Sequence, residues 1–235
     1  MAFFDAKQLP SAKDEYVCFI DIMGIQSKMS HSINQSSNFI FKLHAIILEC
    51  WRTTSYSHIS VYPIMDGAYI TSSNKSEILN LLTYIYNSLV TSLMKEDDYK
   101  YWFWIRASLA YGKIIHGRNI PYDASLEFST RVGYKEQLLI GEPMILAYTG
   151  ERNAAPMGIF IDNSASAKYQ GVPSDWRWFQ NRNIKVEQSQ IEIFTRKMNE
   201  CYDHMGKMWN EEEYPLDKRA EHLKRFNEYY TLPLK

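Results

Sequence analysis

Two aspartates stand where this chain would otherwise carry apolar residues. Asp21 closes the run Tyr16-Val17-Cys18-Phe19-Ile20, and Asp66 lies in Met65-Asp66-Gly67 between two β-forming stretches. Two carboxylates held at neighbouring strand ends make a hard-oxygen site for divalent cations, whose shell a bound triphosphate would complete. Met23-Gly24-Ile25 follows the first of them, and a glycine there lets backbone N–H groups approach an anion at a helix start. Each has a plainer reading, Asp21 as a helix cap and Asp66 as a turn former. The pair is favoured because each ends a strand that is otherwise apolar.

The elements that must position these groups follow from periodicity. Residues 16–20 read as a buried central strand. Phe39, Leu43, Ile46, Ile47 and Cys50 recur at helical spacing over about 34–53. Residues 59–64 and 68–71 bracket Met65-Asp66-Gly67 as a hairpin with a tight Asp-Gly turn. Asn74 and Glu77 form a capping box ahead of a second amphipathic helix through Ile78, Leu81, Leu82, Ile85 and Leu89. A strand spans Trp102 to about His116, 118–136 reads as a loop, a helix runs from Glu142 to about Arg152, and Met157–Ile161 is a short strand. Residues 163–185 show no clear pattern. A stripe of Ile191, Phe194, Met198, Tyr202, Met205 and Trp209 marks another helix, and a charged one covers about 216–230. The expected fold class is α+β, a ferredoxin-like βαββαβ core over 1–162 with a helical C-terminal extension over 163–235 packed on it.

Composition narrows the function. With 46% hydrophobic residues in 235, the chain can bury a sizeable core. A formal charge of −1 argues against nucleic acid as a partner. Cys18, Cys50 and Cys201 lack disulfide or zinc spacing and read as reduced core residues. No apolar run is long enough to span a membrane, and Met1-Ala-Phe-Phe is too short for a signal peptide. A cytoplasmic location is expected.

The motifs together resemble the class III nucleotidyl cyclases. Phe19-Ile20-Asp21-Ile22-Met23-Gly24-Ile25 is similar to that family's first metal motif, and Ile64-Met65-Asp66-Gly67 to its second. The stretch from Ile105-Arg106 through Gly112 to Gly117 resembles its arginine-bearing strand, and Gly141-Glu142 with Ala147 its catalytic-face helix. The resemblance implies that Asp21, Asp66 and the Ile22 carbonyl hold two divalent ions, Mg²⁺ or Mn²⁺. It places Arg106 on the phosphates, a task suited to a planar, permanently charged guanidinium. The plainer reading of Arg106 is an edge-strand residue reaching solvent. The implied reaction is in-line attack of the ribose 3′-oxygen on the α-phosphorus with loss of pyrophosphate. A homodimer with composite sites is implied too.

The base-reading positions of purine cyclases fall here on Tyr62 and Leu138, and their helix Asn and Arg on Ile145 and Thr149. An aromatic at Tyr62 would fill space that a purine needs. Gly141-Glu142-Pro143 and Ala147-Tyr148 also look like the pyrimidine cyclases of bacterial Pycsar anti-phage systems, which implies UTP or CTP as substrate and cUMP or cCMP as product. Adenylate or guanylate cyclisation, a non-catalytic nucleotide sensor on the same fold, and a palm or GGDEF-like domain are the alternatives. The last lacks its signature turn.

Overall fold

The computed structural model describes residues 9–208 and 214–231, apart from the side chains at 126 and 205–208. Met1-Ala-Phe-Phe, Trp209 and the Met205 side chain of the stripe lie outside what is described. The chain runs β1 (Lys13–Ile22), α1 (Ile25–His31), α2 (Ile33–Thr54), β2 (Ile59–Ile64), β3 (Gly67–Ser72), α3 (Lys75–Met94) and β4 (Ile105–His116). It continues with α4 (Leu126–Thr130), α5 (Val132–Glu136), β5 (Leu139–Gly141), α6 (Glu142–Gly150), β6 (Ile159–Ile161), α7 (Gln188–Met208) and α8 (Leu216–Thr231). The strand order β2-β3-β1-β4 is antiparallel throughout, the ferredoxin-like arrangement. β5 extends it antiparallel along the end of β4, and β6 runs parallel to the start of β4.

β1 reads as an unbroken apolar run because both of its faces are covered. Tyr16, Cys18, Ile20 and Ile22 join the large core with Phe39, Leu43 and Ile47 of α2 and Ile78, Leu82 and Ile85 of α3. Val17 and Phe19 point the other way, into a smaller cluster with Tyr69, Ala110, Ile114 and Ala147 of α6. The main core also takes in the later segments. Trp178, Phe194, Phe226 and Tyr230 belong to it. Trp178 Nε1 and the Tyr230 hydroxyl both donate to the Met157 carbonyl, at 3.1 and 2.8 Å. Met157, itself fully buried, holds a left-handed φ of 58°.

Several local expectations are corrected. The strand expected from Trp102 begins at Ile105, and a short helix α1 stands where only a turn was expected. The 118–136 loop contains α4 and α5, and the helix expected to reach Arg152 ends at Gly150 in a 3₁₀ turn over Glu151–Asn153. Asn74 does cap α3, accepting from the N–H groups of Ser76 and Glu77. Glu77 does not complete the box, because its carboxylate receives the His58 backbone N–H at 3.0 Å and pairs with its ring.

The hairpin also differs from a turn built on its glycine. Ile64 pairs with Gly67, so Met65 and Asp66 are the two loop residues, and the positive φ of 31° falls on Met65. Gly67 serves a close approach instead: a Cβ there would sit 2.2 Å from the Ile20 carbonyl oxygen of β1. Gly67→Ala should therefore push β3 off β1 and lower stability by about 2–3 kcal/mol. The check is a thermal melt compared with that of Gly133→Ala, where a Cβ meets nothing within 4 Å.

Candidate functional site

The antiparallel register brings the carboxylates together. Asp21 stands opposite Gly67 of β3 on one side and Arg106 of β4 on the other. Asp66, next to Gly67 in the turn, thereby comes within hydrogen-bonding reach of Asp21. Both line a cavity of about 600 Å³ with Arg106, Tyr148, Glu151 and Arg152. Ile22, Gly24 and Ile25 of the first motif also line it. Gly24 has φ 68° and leads into α1, and a side chain there would meet no neighbour within 4 Å. Its glycine is needed for backbone conformation rather than for space.

Charge is unevenly distributed around this cavity. The Asp21 carboxyl is pushed up to about 7, first by burial, then by the negative charges of Asp66 and Glu151, with Arg106 opposing. Glu151 is a residue that motif reasoning missed, since a lone acid after a helix carries no periodic signal. It is buried, and its Oε1 lies 2.5 Å from Arg106 Nη2. Glu151 is thus ion-paired with Arg106, while Asp21 and Asp66 have no such pair among the described residues. Hard oxygen donors carrying surplus negative charge fit a divalent ion such as Mg²⁺ or Mn²⁺. Among the described residues no group of three or more His, Cys, Asp or Glu is placed to hold a metal ion, here or elsewhere, so an ion at Asp21 and Asp66 would need further oxygen donors from the backbone or a ligand.

Tyr62 takes a different place from the one its alignment suggests. It pairs with Tyr69 two steps back from the turn, and only 5% of it is exposed. Its hydroxyl bonds to His116 Nδ1, and His116 Nε2 meets Glu15 Oε1 at 3.0 Å, a chain of buried polar groups tying β1, β2 and β4 together. Tyr62 is absent from the cavity wall, so it has little surface to offer a base. The exposed aromatic on the wall is Tyr148, 51% accessible, its ring 5.3 Å from that of Phe19. Ile145 and Thr149 are exposed on α6 outside the wall, whereas Arg152, one turn on, lies in it.

No protein-family model and no curated protein matches the chain. Among solved structures it is similar to the monomeric guanylyl cyclase domain of the RhoGC fusion protein from Blastocladiella emersonii. The identity is 15% and the TM-score 0.47, over 66% of this chain and 85% of that one. The guanylate cyclase domain of RhGC from Catenaria anguillulae in complex with GTP is similar at 13% identity and TM-score 0.47, over 66% and 81%. A class III adenylyl cyclase-like ATP-binding protein from Pseudomonas aeruginosa is similar at 13% and 0.43, over 96% and 46%. At these values the likeness is one of chain path, and function is argued from the residues themselves.

Proposed function

We propose that the protein is a nucleotidyl cyclase that converts a nucleoside triphosphate into its 3′,5′-cyclic monophosphate and pyrophosphate. The observation that carries this reading is the meeting of Asp21, Asp66 and Arg106 on the wall of one cavity beside the Gly24 turn. Asp21 and Asp66, with the Ile22 carbonyl, would hold the divalent ions. When bound, such ions supply Lewis-acid polarisation of the phosphates and a more acidic 3′-hydroxyl. Arg106 meets the triphosphate with a charge that does not titrate. The Gly24–Ile25 backbone provides the close approach that phosphate oxygens need.

A pyrimidine substrate, UTP or CTP, is the finer proposal. It is supported by the sequence likeness around Gly141-Glu142-Pro143 and Ala147-Tyr148, and Tyr62 does not contribute to it. With that likeness comes a role in anti-phage signalling through cUMP or cCMP. We also read the functional unit as a homodimer, a reading supported by exposed Ile145 and the cavity-lining Tyr148, three residues apart on α6.

The test is incubation with each of the four NTPs and Mn²⁺ or Mg²⁺, with detection of pyrophosphate and of the cyclic product. Release of pyrophosphate with no cyclic nucleotide, or no turnover of any NTP, would overturn the reading. ATP or GTP as the preferred substrate would keep the cyclase and discard the pyrimidine. Tyr148 is the aromatic available to stack on the base. Base–aromatic stacking contributes about 1–3 kcal/mol, so Tyr148→Ala should raise KM roughly tenfold, whereas Tyr62→Phe should leave KM near wild type.

A further inference from the structure

A second, smaller cavity of about 190 Å³ opens on the other side of Arg106, between the β1–α1 turn and the C-terminal helix α8. Ser27 and Lys28 line it from α1, Arg106 from β4, and Lys218 and His222 from α8, with Tyr214 just ahead of that helix. Arg106 and Gly24 belong to both cavities, so the two meet at the guanidinium. Three of the described lining residues are cationic and none is acidic. Of the acids close by, Glu151 sits on the Asp21 side, paired with Arg106, and Glu221 acts on His222 from α8, where it is paired with Arg225.

The detailed contacts are those of a place prepared for an anion. Lys28 Nζ rests 4.8 Å over the Phe39 ring and 3.5 Å from the Trp102 carbonyl, and burial pulls its ammonium down to about 8. Arg106 Nε is buried with no hydrogen-bond acceptor among the described residues. The Tyr214 hydroxyl is 2.6 Å from His222 Nδ1. Burial, and then Arg106, push the His222 imidazole down to about 4. At neutral pH His222 is therefore an uncharged hydrogen-bonding group beside three cations. Phosphate oxygens would satisfy the arginine donor and offset like charges that now face each other.

We infer that this cavity is a polyphosphate subsite in which Lys218 and His222 of α8, with Lys28 and Arg106, hold the terminal phosphates of the substrate and the pyrophosphate derived from them. The assignment rests on the cyclase reading for its substrate, and it makes the C-terminal helix part of the site.

The experiment is calorimetric titration of the full chain with pyrophosphate, and separately with inorganic phosphate, in EDTA so that no ion bridges the ligand to Asp21. Lys218→Ala and Lys28→Gln should each weaken pyrophosphate binding about tenfold, with thermal melts confirming the fold. Lys224→Ala should change nothing, since Lys224 is an exposed residue of α8 paired loosely with Glu228 and absent from the cavity wall. In the cyclase assay Lys218→Ala should raise KM about tenfold and leave kcat nearly unchanged.

Equal pyrophosphate affinity in wild type and Lys218→Ala would overturn the subsite, as would no binding by the wild type. Binding of inorganic phosphate as tight as that of pyrophosphate would replace the polyphosphate with a single-phosphate ligand. Lys218-dependent pyrophosphate binding without turnover of any NTP would retain the subsite and remove the cyclase reading. Turnover with a KM indifferent to Lys218 would do the reverse.

Discussion

Asp21→Asn should abolish turnover and at the same time make the metal-free protein more stable at neutral and alkaline pH. On the proposed function, the first half follows from removing a carboxylate that would hold the divalent ions, a loss of several kcal/mol of transition-state stabilisation, or roughly 10³-fold or more in rate. The second half follows from linkage. Asp21 is held at about 7 in the folded chain, against about 3.9 in an unfolded one. Between those values the folded state binds the proton and the unfolded state does not, so stability falls as pH rises through the window. Above pH 7 the cost is fully present, on the order of 4 kcal/mol at most. Melts in EDTA from pH 5 to pH 8 should show wild-type Tm dropping by several degrees, with a flatter profile for Asp21→Asn. Added Mn²⁺ should raise Tm of the wild type and do little for the variant. A variant that keeps its activity would remove Asp21 from the metal-holding role.

The second large effect is expected at Arg106. In the folded chain its guanidinium faces Glu151 at 2.5 Å, and it also lowers the carboxyl of Asp21. Arg106→Ala would leave three carboxylates around one cavity with only Arg152 beside them. Breaking a buried pair from one side costs about 3–5 kcal/mol, near 10 °C in Tm for a chain of this size. Glu151→Gln in the Arg106→Ala background should recover most of that loss, because the uncompensated charge is what destabilises. A double-mutant cycle then gives a coupling of a few kcal/mol. Activity should separate from stability: Arg106→Ala should raise KM by loss of a phosphate contact, and Glu151→Gln on that background should restore Tm but not KM. If the double variant is no more stable than Arg106→Ala alone, the pair is not coupled in the way described.

How much of this was legible in the sequence depended on whether a residue's neighbours repeat with a period. β1 was readable as an unbroken apolar run, α2 and α3 from apolar residues recurring every three to four positions, and the hairpin from β-forming stretches around an Asp-Gly pair; Asp21 and Asp66 stood out against that background. β5, three residues long, is too short to show alternation and forms along the edge that β4 offers it, whereas the equally short β6 was read from the apolar run Met157–Ile161 and pairs with the start of β4. Glu151 was missed for a related reason. Its meaning comes from the turn after α6 folding back on β4, a tertiary fact that no local pattern records. Tyr62 failed in the opposite direction. Its place four residues before Asp66 suggested a contact with the base, but pairing with Tyr69 and the His116–Glu15 chain draws it into the sheet. Gly67 was likewise seen as important for the wrong cause: the constraint is the carbonyl of Ile20, not the turn.

Met157 bears on how separable the two parts of the chain are. Its carbonyl is held from beyond residue 162 by Trp178 and Tyr230, while its N–H reaches back 2.8 Å to Ile105 at the start of the arginine-bearing strand. A left-handed conformation at a buried methionine persists only where its surroundings impose it. Cut after Asp162, the chain would lose both donors and would bare Tyr86, Trp102 and Trp104, which now pack against rings of the later segment. The C-terminal third therefore cannot be gained or shed as a module. Removing it would require the packing beneath the sheet that carries Asp21 and Arg106 to be rebuilt at the same time.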